Sequence, residues 1–243
     1  MAKSVLQNQI VLVDDYDITG DTNAVAIDYG AEVKDCTVLG NDTRVNLGGL
    51  KTVQVQVAGF YDAATQDEEV FANIGTSNKP ISFGESDTVG SVSYFFNAVS
   101  GEYQVGETVG EVLPFSLGAG AQGNLVRGVL AHNARSTAET STDVGTAIQL
   151  GAVSSTQKLY AVLHVLESNG SGDQTLDVLV ESDDNAGFTS GITRLTFTQA
   201  TTTGTSEMLE LDGPLTDDYF RVSFTIAGSG SPSFKFVVFF GVM

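Results

Sequence analysis

The chain has 243 residues, with 11 Lys and Arg set against 30 Asp and Glu, a formal net charge of −19. So acidic a surface excludes tight wrapping around nucleic acid, because phosphate binding needs a basic face. One cysteine, Cys36, excludes an internal disulfide, so stability has to come from burial or from subunit contacts.

The acidity is spread evenly. Up to residue 138 there are 7 basic and 17 acidic residues, and beyond it 4 and 13, so this is no basic domain with an acidic tail. No apolar run approaches the ~20 residues that span a bilayer. The opening "MAKSVLQNQIVLVDD" alternates and lacks a small-residue cleavage site. It predicts a first strand rather than a signal peptide, and a product made and used without secretion.

A second alternating segment, "AEVKDCTVLG", follows, with Cys36 expected as a small, half-buried core residue. A twelve-residue polar connection carrying Asp42, Arg44, two glycines and Lys51 leads to a strand with Val53, Val55 and Val57 on one face and Thr52, Gln54 and Gln56 on the other. The segment "ATQDEEVFANIG" then offers Thr65 as N-cap, Glu68 at capping-box spacing, an apolar stripe of Val70, Phe71 and Ile74, and Gly75 as the stop. One short helix packed on a sheet is predicted there. "GAGAQG", Gly118 to Gly123, matches a dinucleotide fingerprint, but the strand-like "NLVRGVLAHN" follows where a helix is required, so it reads as a glycine-rich hairpin turn.

The small, polar, aperiodic stretch from His132 to Gly145 predicts a linker, placed at 139–145. After it, seven segments at strand spacing suit a sandwich. In the last of these, Phe234, Phe236, Val238 and Phe240 share one face while Val237 and Phe239 occupy the other, so both sides should be covered. The expected fold is mainly β: an N-terminal barrel or sandwich over 1–138 with one short helix, and a C-terminal β-sandwich over 146–243.

Signatures of catalysis are scarce. His132 and His164 have no partner at metal-ligand spacing, and His164, within the apolar "LYAVLHVLE", is expected to be structural. No G-x-S-x-G elbow occurs. "ESDDNAGF" raises a cation site at Asp183–Asn185, but Asp, Asn and Gly are favoured there by turn geometry alone. Asp14–Asp15 and Asp217–Asp218 are adjacent residues pointing to opposite faces, so neither converges as an acid–base dyad; solvated turn acids are expected. No catalytic, cofactor-binding or metal-binding residue is predicted.

The order of the first half resembles the tail tube (major tail) proteins of long-tailed bacteriophages. The matching residues are Asp35, Gly40, Asp42, Thr43, Arg44, Gly49, Leu50, Lys51, Gly59, Tyr61 and Asp62, closed by Phe71, Ile74 and Gly75. "GEVLPFSLGAGAQGNLVRGVLAHN" is similar to the last hairpin of such domains, and "GTAIQLGAVSSTQKLYAVLHV" to accessory modules of phage virion proteins.

The resemblance implies a non-enzymatic virion protein, assembled in the host cytoplasm into the tail without membrane insertion and without cofactors. It implies homohexameric rings that stack, contacts with other tail proteins, and DNA passing through the lumen without specific binding. A heterologous ring would remove the sheet edges a lone subunit leaves bare. Asn41, Asp42, Thr43, Arg44, Leu50 and Lys51 would then form an inter-subunit or inter-ring loop. Two other readings stay open at this level: a capsid decoration or head-fibre protein, and a carbohydrate-binding sandwich, which the absence of Trp weakens.

Overall fold

A computed structural model describes residues 8–63 and 66–243. In chain order the elements are β1 (Ile10–Val13), β2 (Tyr16–Asp17), β3 (Thr22–Asp35), β4 (Asn46–Phe60), α1 (Gln66–Ala72), β5 (Lys79–Gly84), β6 (Val92–Val105), β7 (Pro114–Ala121) and β8 (Val126–Asn133). They continue with β9 (Asp143–Val144), β10 (Ile148–Gln149), β11 (Lys158–Asn169), β12 (Thr175–Asp183), β13 (Ile192–Thr196), β14 (Ser206–Asp212), β15 (Tyr219–Ala227) and β16 (Ser233–Val242). The protein is mainly β with one short helix, and its sheets do not close into a barrel.

Two compact units interleave along the chain. The first takes the segment up to Gly20, Lys79–Asn97 and Val126–Met243; the second takes Asp21–Asn78 and Ala98–Leu125. These cuts differ from the 1–138, 139–145 and 146–243 partition expected from composition. The reason is ladder pairing between distant segments: β8 pairs with β16, with Phe240 opposite Val129. Residues of the expected linker are themselves paired, Glu139 exchanging two backbone hydrogen bonds with Phe234 and β9 lying on β15. Small polar side chains hide this, because the ladder uses only backbone N–H and C=O groups.

In the first unit a sheet of order β14-β11-β16-β8-β6-β5-β1-β2 is joined by a second, β10-β15-β12-β13, with β9 on β15. Between them Phe220, Val222 and Phe224 of β15 and Leu176, Val178 and Val180 of β12 meet Leu159, Leu163, Phe236 and Phe240. The opposite face of β11 and β16 is equally buried, with Tyr160, Val162, Val237 and Phe239 packed on Ile10, Leu12, Phe95 and Leu130. Strand β16 is therefore covered on both sides, as its uninterrupted apolar run requires. The first sheet rolls far enough for Ser82 on β5 to hydrogen bond His164 on β11 at 2.7 Å.

The second unit is built on the antiparallel order β3-β4-β7, continued by the part of β6 from Ala98 onward. Val53, Val55 and Val57 of β4 are buried with Phe115, Leu117 and Ala119 of β7. Helix α1 buries Val70, while Phe71 and Ile74 of the expected stripe remain exposed. The helix ends at Ala72, before Ile74, and seven residues present too short a face for three core residues. The chain leaves the helix through Gly75, whose φ of +77° and N–H to the Ser100 carbonyl give the expected stop. The expected N-cap Thr65, and the Glu68 side chain paired with it, lie outside the described residues.

Candidate functional site: a hairpin arm on an open sheet

Strands β3 and β4 form one continuous ladder, from Thr22 opposite Gly59 to Asp35 opposite Asn46. Its distal half meets nothing: every residue from Ala31 to Leu50 is exposed. Leu39 is 105% exposed, Leu50 78%, Val33 69% and Val38 67%. The alternation that buries Val53, Val55 and Val57 has no core to face farther along the arm.

Cys36 is accordingly exposed rather than half-buried, its Sγ 3.3 Å from the Val45 carbonyl. Strand β3 ends one residue earlier, at Asp35, on a part of the hairpin where every residue is exposed.

The loop itself is shorter than expected, Cys36 to Val45, and tied by its own hydrogen bonds. Cys36 N–H reaches the Val45 carbonyl at 2.9 Å, and Val45 N–H reaches Thr37 Oγ1 at 2.9 Å. The Asn41 side chain accepts from Val38 N–H at 3.0 Å, an Asx-type brace. Thr37 donates from both backbone and side chain to Asp35, holding that exposed carboxyl below its usual range.

Of the expected contact residues, Asn41, Asp42, Thr43 and Arg44 lie in the loop, while Leu50 and Lys51 lie within β4, as do Gly48 and Gly49. Gly49 serves close approach rather than mobility: a Cβ there would fall 2.9 Å from Glu32 Cβ, next to the register shift between Ala31 and Val33. Lys51 Nζ sits 5.9 Å from the centre of the Tyr29 ring.

Register orders the opposite face of this sheet. Asp28, Gln54 and Gly120 form one row across it, and Ala26, Gln56, Gly118 and Glu102 the next. The missing side chains at Gly101, Gly118 and Gly120 leave a groove of about 250 Å³, flanked by Gln54, Gln56 and Glu102. Gly118 and Gly120 thus belong to strand β7, and only Gln122–Gly123 turns, with Gly123 at φ +99°. Strand β8 follows, and it pairs with β6 and β16 rather than with β7, so "GAGAQG" is neither a phosphate loop nor a hairpin turn.

The edges of this sheet are bare. Among the described residues β3 pairs only with β4. Among the same described residues, β6 from Glu102 on pairs only with β7. An unpaired edge of this length is a template for another chain.

The two histidines and the acids weighed for chemistry are engaged by neighbours within the fold. His164 is fully buried; its Nδ1 lies 2.5 Å from the Asp14 carbonyl, which can only accept, so Nδ1 carries the proton and Nε2 accepts from Ser82. Burial lowers its pKa to about 4, and a Ser–His pair sealed in this way has no route to substrate. His132 stacks 4.7 Å from Phe236, and burial lowers it to about 4 as well.

Asp14 and Asp217 are not the solvated turn acids expected. Each is buried and ion-paired, Asp14 with Lys79 and Asp217 with Arg194 at 2.8 Å. Their partners lie far away in sequence, which is why local reading missed them. Ser182 donates to Asp217 at 2.6 Å and accepts from Arg194 Nε at 2.6 Å; the bonds from Ser182 and from the Arg194 guanidinium to Asp217 hold its carboxyl low. Asp183 spends its oxygens on Ser190 N–H at 2.8 Å and Asn185 N–H at 3.2 Å, a turn brace.

One exposed segment was read only in part, its last four residues having been assigned to a hairpin. The loop "GETVGEVL", residues 106–113, is exposed throughout, with Val109 101% and Val112 68% exposed. Its alternation of glutamate with valine was the available signal.

No family model matches the chain, and no curated protein matches it. Among solved structures it is similar to a chain from the tail of an empty gene transfer agent particle, at 19% identity over 51% of this chain and 97% of that one, with a TM-score of 0.41. It is similar to a chain of the sheath/tube terminator of an extracellular contractile injection system, at 13% identity over 52% and 97%, TM-score 0.44. The Dit protein of phage SPP1, from a hub adsorption apparatus, aligns over 98% of this chain and 100% of its own, at 13% identity and a TM-score of 0.39. The solved structures around this chain are tail, tube-terminator and hub proteins.

Proposed function

We propose that this chain is a structural subunit of a phage tail, whose copies close into hexameric rings that stack into a tube for DNA. The reading rests on the sequence resemblance of the first half. The observation that supports it is the second unit's sheet, open at β3 and at the far end of β6. The β3 edge of one copy pairs with the β6 edge of the next, and repetition around an axis leaves no edge bare.

In such a ring the face carrying Asp28, Gln54, Gln56 and Glu102 lines the lumen. Its paired rows hold no Lys or Arg. Fixed carboxylates repel phosphate over ~8 Å at physiological salt, which keeps DNA off the wall without blocking passage. The role is non-catalytic and needs no cofactor.

Electron microscopy of the purified protein tests this. Rings or hollow tubes are expected. Monomers alone, even with the tail's initiating complex supplied, would overturn the proposal.

A further inference from the structure

The chain leaves the first unit after Gly20 and re-enters it at Lys79, having given residues 21–78 to the second. A single cysteine leaves this junction without a disulfide. What stands there instead is the Lys79 amine in contact with the Asp14 carboxylate, 65 residues away in sequence.

Asp14 is held from several sides. It opens the two-residue turn between Val13 and Tyr16, at a φ of +55° that Asp tolerates better than most side chains. Its N–H donates to the Pro80 carbonyl at 2.8 Å, and its own carbonyl accepts from the buried His164. The first bond fixes the backbone next to Lys79, and Ile81 is locked opposite Val13 in the β1–β5 ladder. Backbone geometry therefore presents amine and carboxyl to each other, with little freedom left to lose.

The site is dry on the carboxyl side. Asp14 is 3% exposed, and the neighbouring Val13, Pro80, Ile81, Ser82 and His164 are buried as well. The Lys79 side chain keeps 30% exposure, which leaves a released water its exit. Two charges taken out of water carry a desolvation cost that their attraction can fail to offset. An amide carries no charge and removes that cost. Groups fixed in contact react as if at ~10⁵ M or more, so the pair needs only proximity to begin.

We infer that Lys79 and Asp14 condense into an isopeptide bond. The ammonium passes one proton to a carboxylate oxygen, and the freed Nζ lone pair attacks Cγ. The Nζ–Cγ bond forms and the bond from Cγ to the protonated oxygen breaks. That hydroxyl takes a second proton from Nζ and leaves as water. No oxidant, reductant or cofactor is consumed. The product closes residues 14–79 into a covalent loop at the root of the excursion, so a pull on that segment loads an amide instead of the short β1–β5 ladder.

Intact-mass spectrometry of the folded, purified chain tests it. The parent should be lighter than its sequence by one water, and digestion should release a branched peptide joining the Asp14 and Lys79 segments. Lys79→Arg and Asp14→Ala should each keep the full mass, which separates this loss from dehydration at Asp212–Gly213. The parent measurement stands even where a variant fails to fold. A parent at full sequence mass overturns the inference, and so does a water loss that survives Lys79→Arg or yields no branched peptide.

Discussion

Strands β4 and β16 make an instructive pair. Both are long and rich in apolar residues, yet β16 buries Phe234, Phe236, Val238 and Phe240 on one face and Val237 and Phe239 on the other, while β4 buries the side chains of Val53, Val55 and Val57 and leaves Leu47 and Leu50 bare. Strand β16 lies between β11 and β8 with side chains packed above and below it. The distal half of β4 has only β3 beside it. The same residue types thus serve folding in one strand and remain available for association in the other, and neighbours decide which.

The comparison can be broken hardest in β16. Phe236 is fully buried, 5.1 Å centre to centre from Phe224 and stacked on His132. Phe236→Ala should lower unfolding free energy by about 3–5 kcal/mol through lost burial and the cavity left behind, read from denaturant midpoints.

A somewhat smaller effect is expected from acid, and it too belongs to the buried side of the molecule. His164 and His132 titrate at about 4 when folded, against an ordinary value near 6.5. Between those values the unfolded chain binds more protons, so stability is full above pH 6.5 and falls as pH drops toward 4. The fully buried His164 alone contributes about 3 kcal/mol to that loss. Glu139, raised by burial and by Asp143, acts in the opposite sense and blunts it. Urea midpoints at pH 7 and pH 4.5 should differ accordingly, and a flat profile would contradict the buried, neutral histidines.

The arm should give the smallest change in folding. Leu39→Ser combined with Val38→Ser is expected to move the unfolding free energy by less than about 0.5 kcal/mol, because both side chains already face water. The same variant should assemble poorly if the arm works between copies. A large loss of monomer stability would show that the arm packs on its own unit.

Much of the fold was legible beforehand because it follows from short-range periodicity. Alternation marked β4, β15 and β16, the doubly apolar pattern of β16 announced burial on both faces, and the acid-led start and Gly75 bracketed α1. The arm residues Asn41 to Arg44 were legible as a polar connection, although Leu50 and Lys51 proved to be strand. The exposed position of Cys36, the buried ion pairs of Asp14 and Asp217, and the strand placement of Gly118 and Gly120 were not. Each depends on a partner many residues away, and nothing in a local window records whether that partner exists.

By itself the sequence determined that the chain would be mainly strands with one short helix, and acidic throughout. Tertiary structure alone decided that 8–20 and 79–97 join the C-terminal segments, that one hairpin outruns its core, and that a sheet edge stays unpaired among the described residues. The physical reason is the range of the forces. Alternation and capping act over a few residues, whereas which strands share a ladder is settled by burial summed over the whole chain.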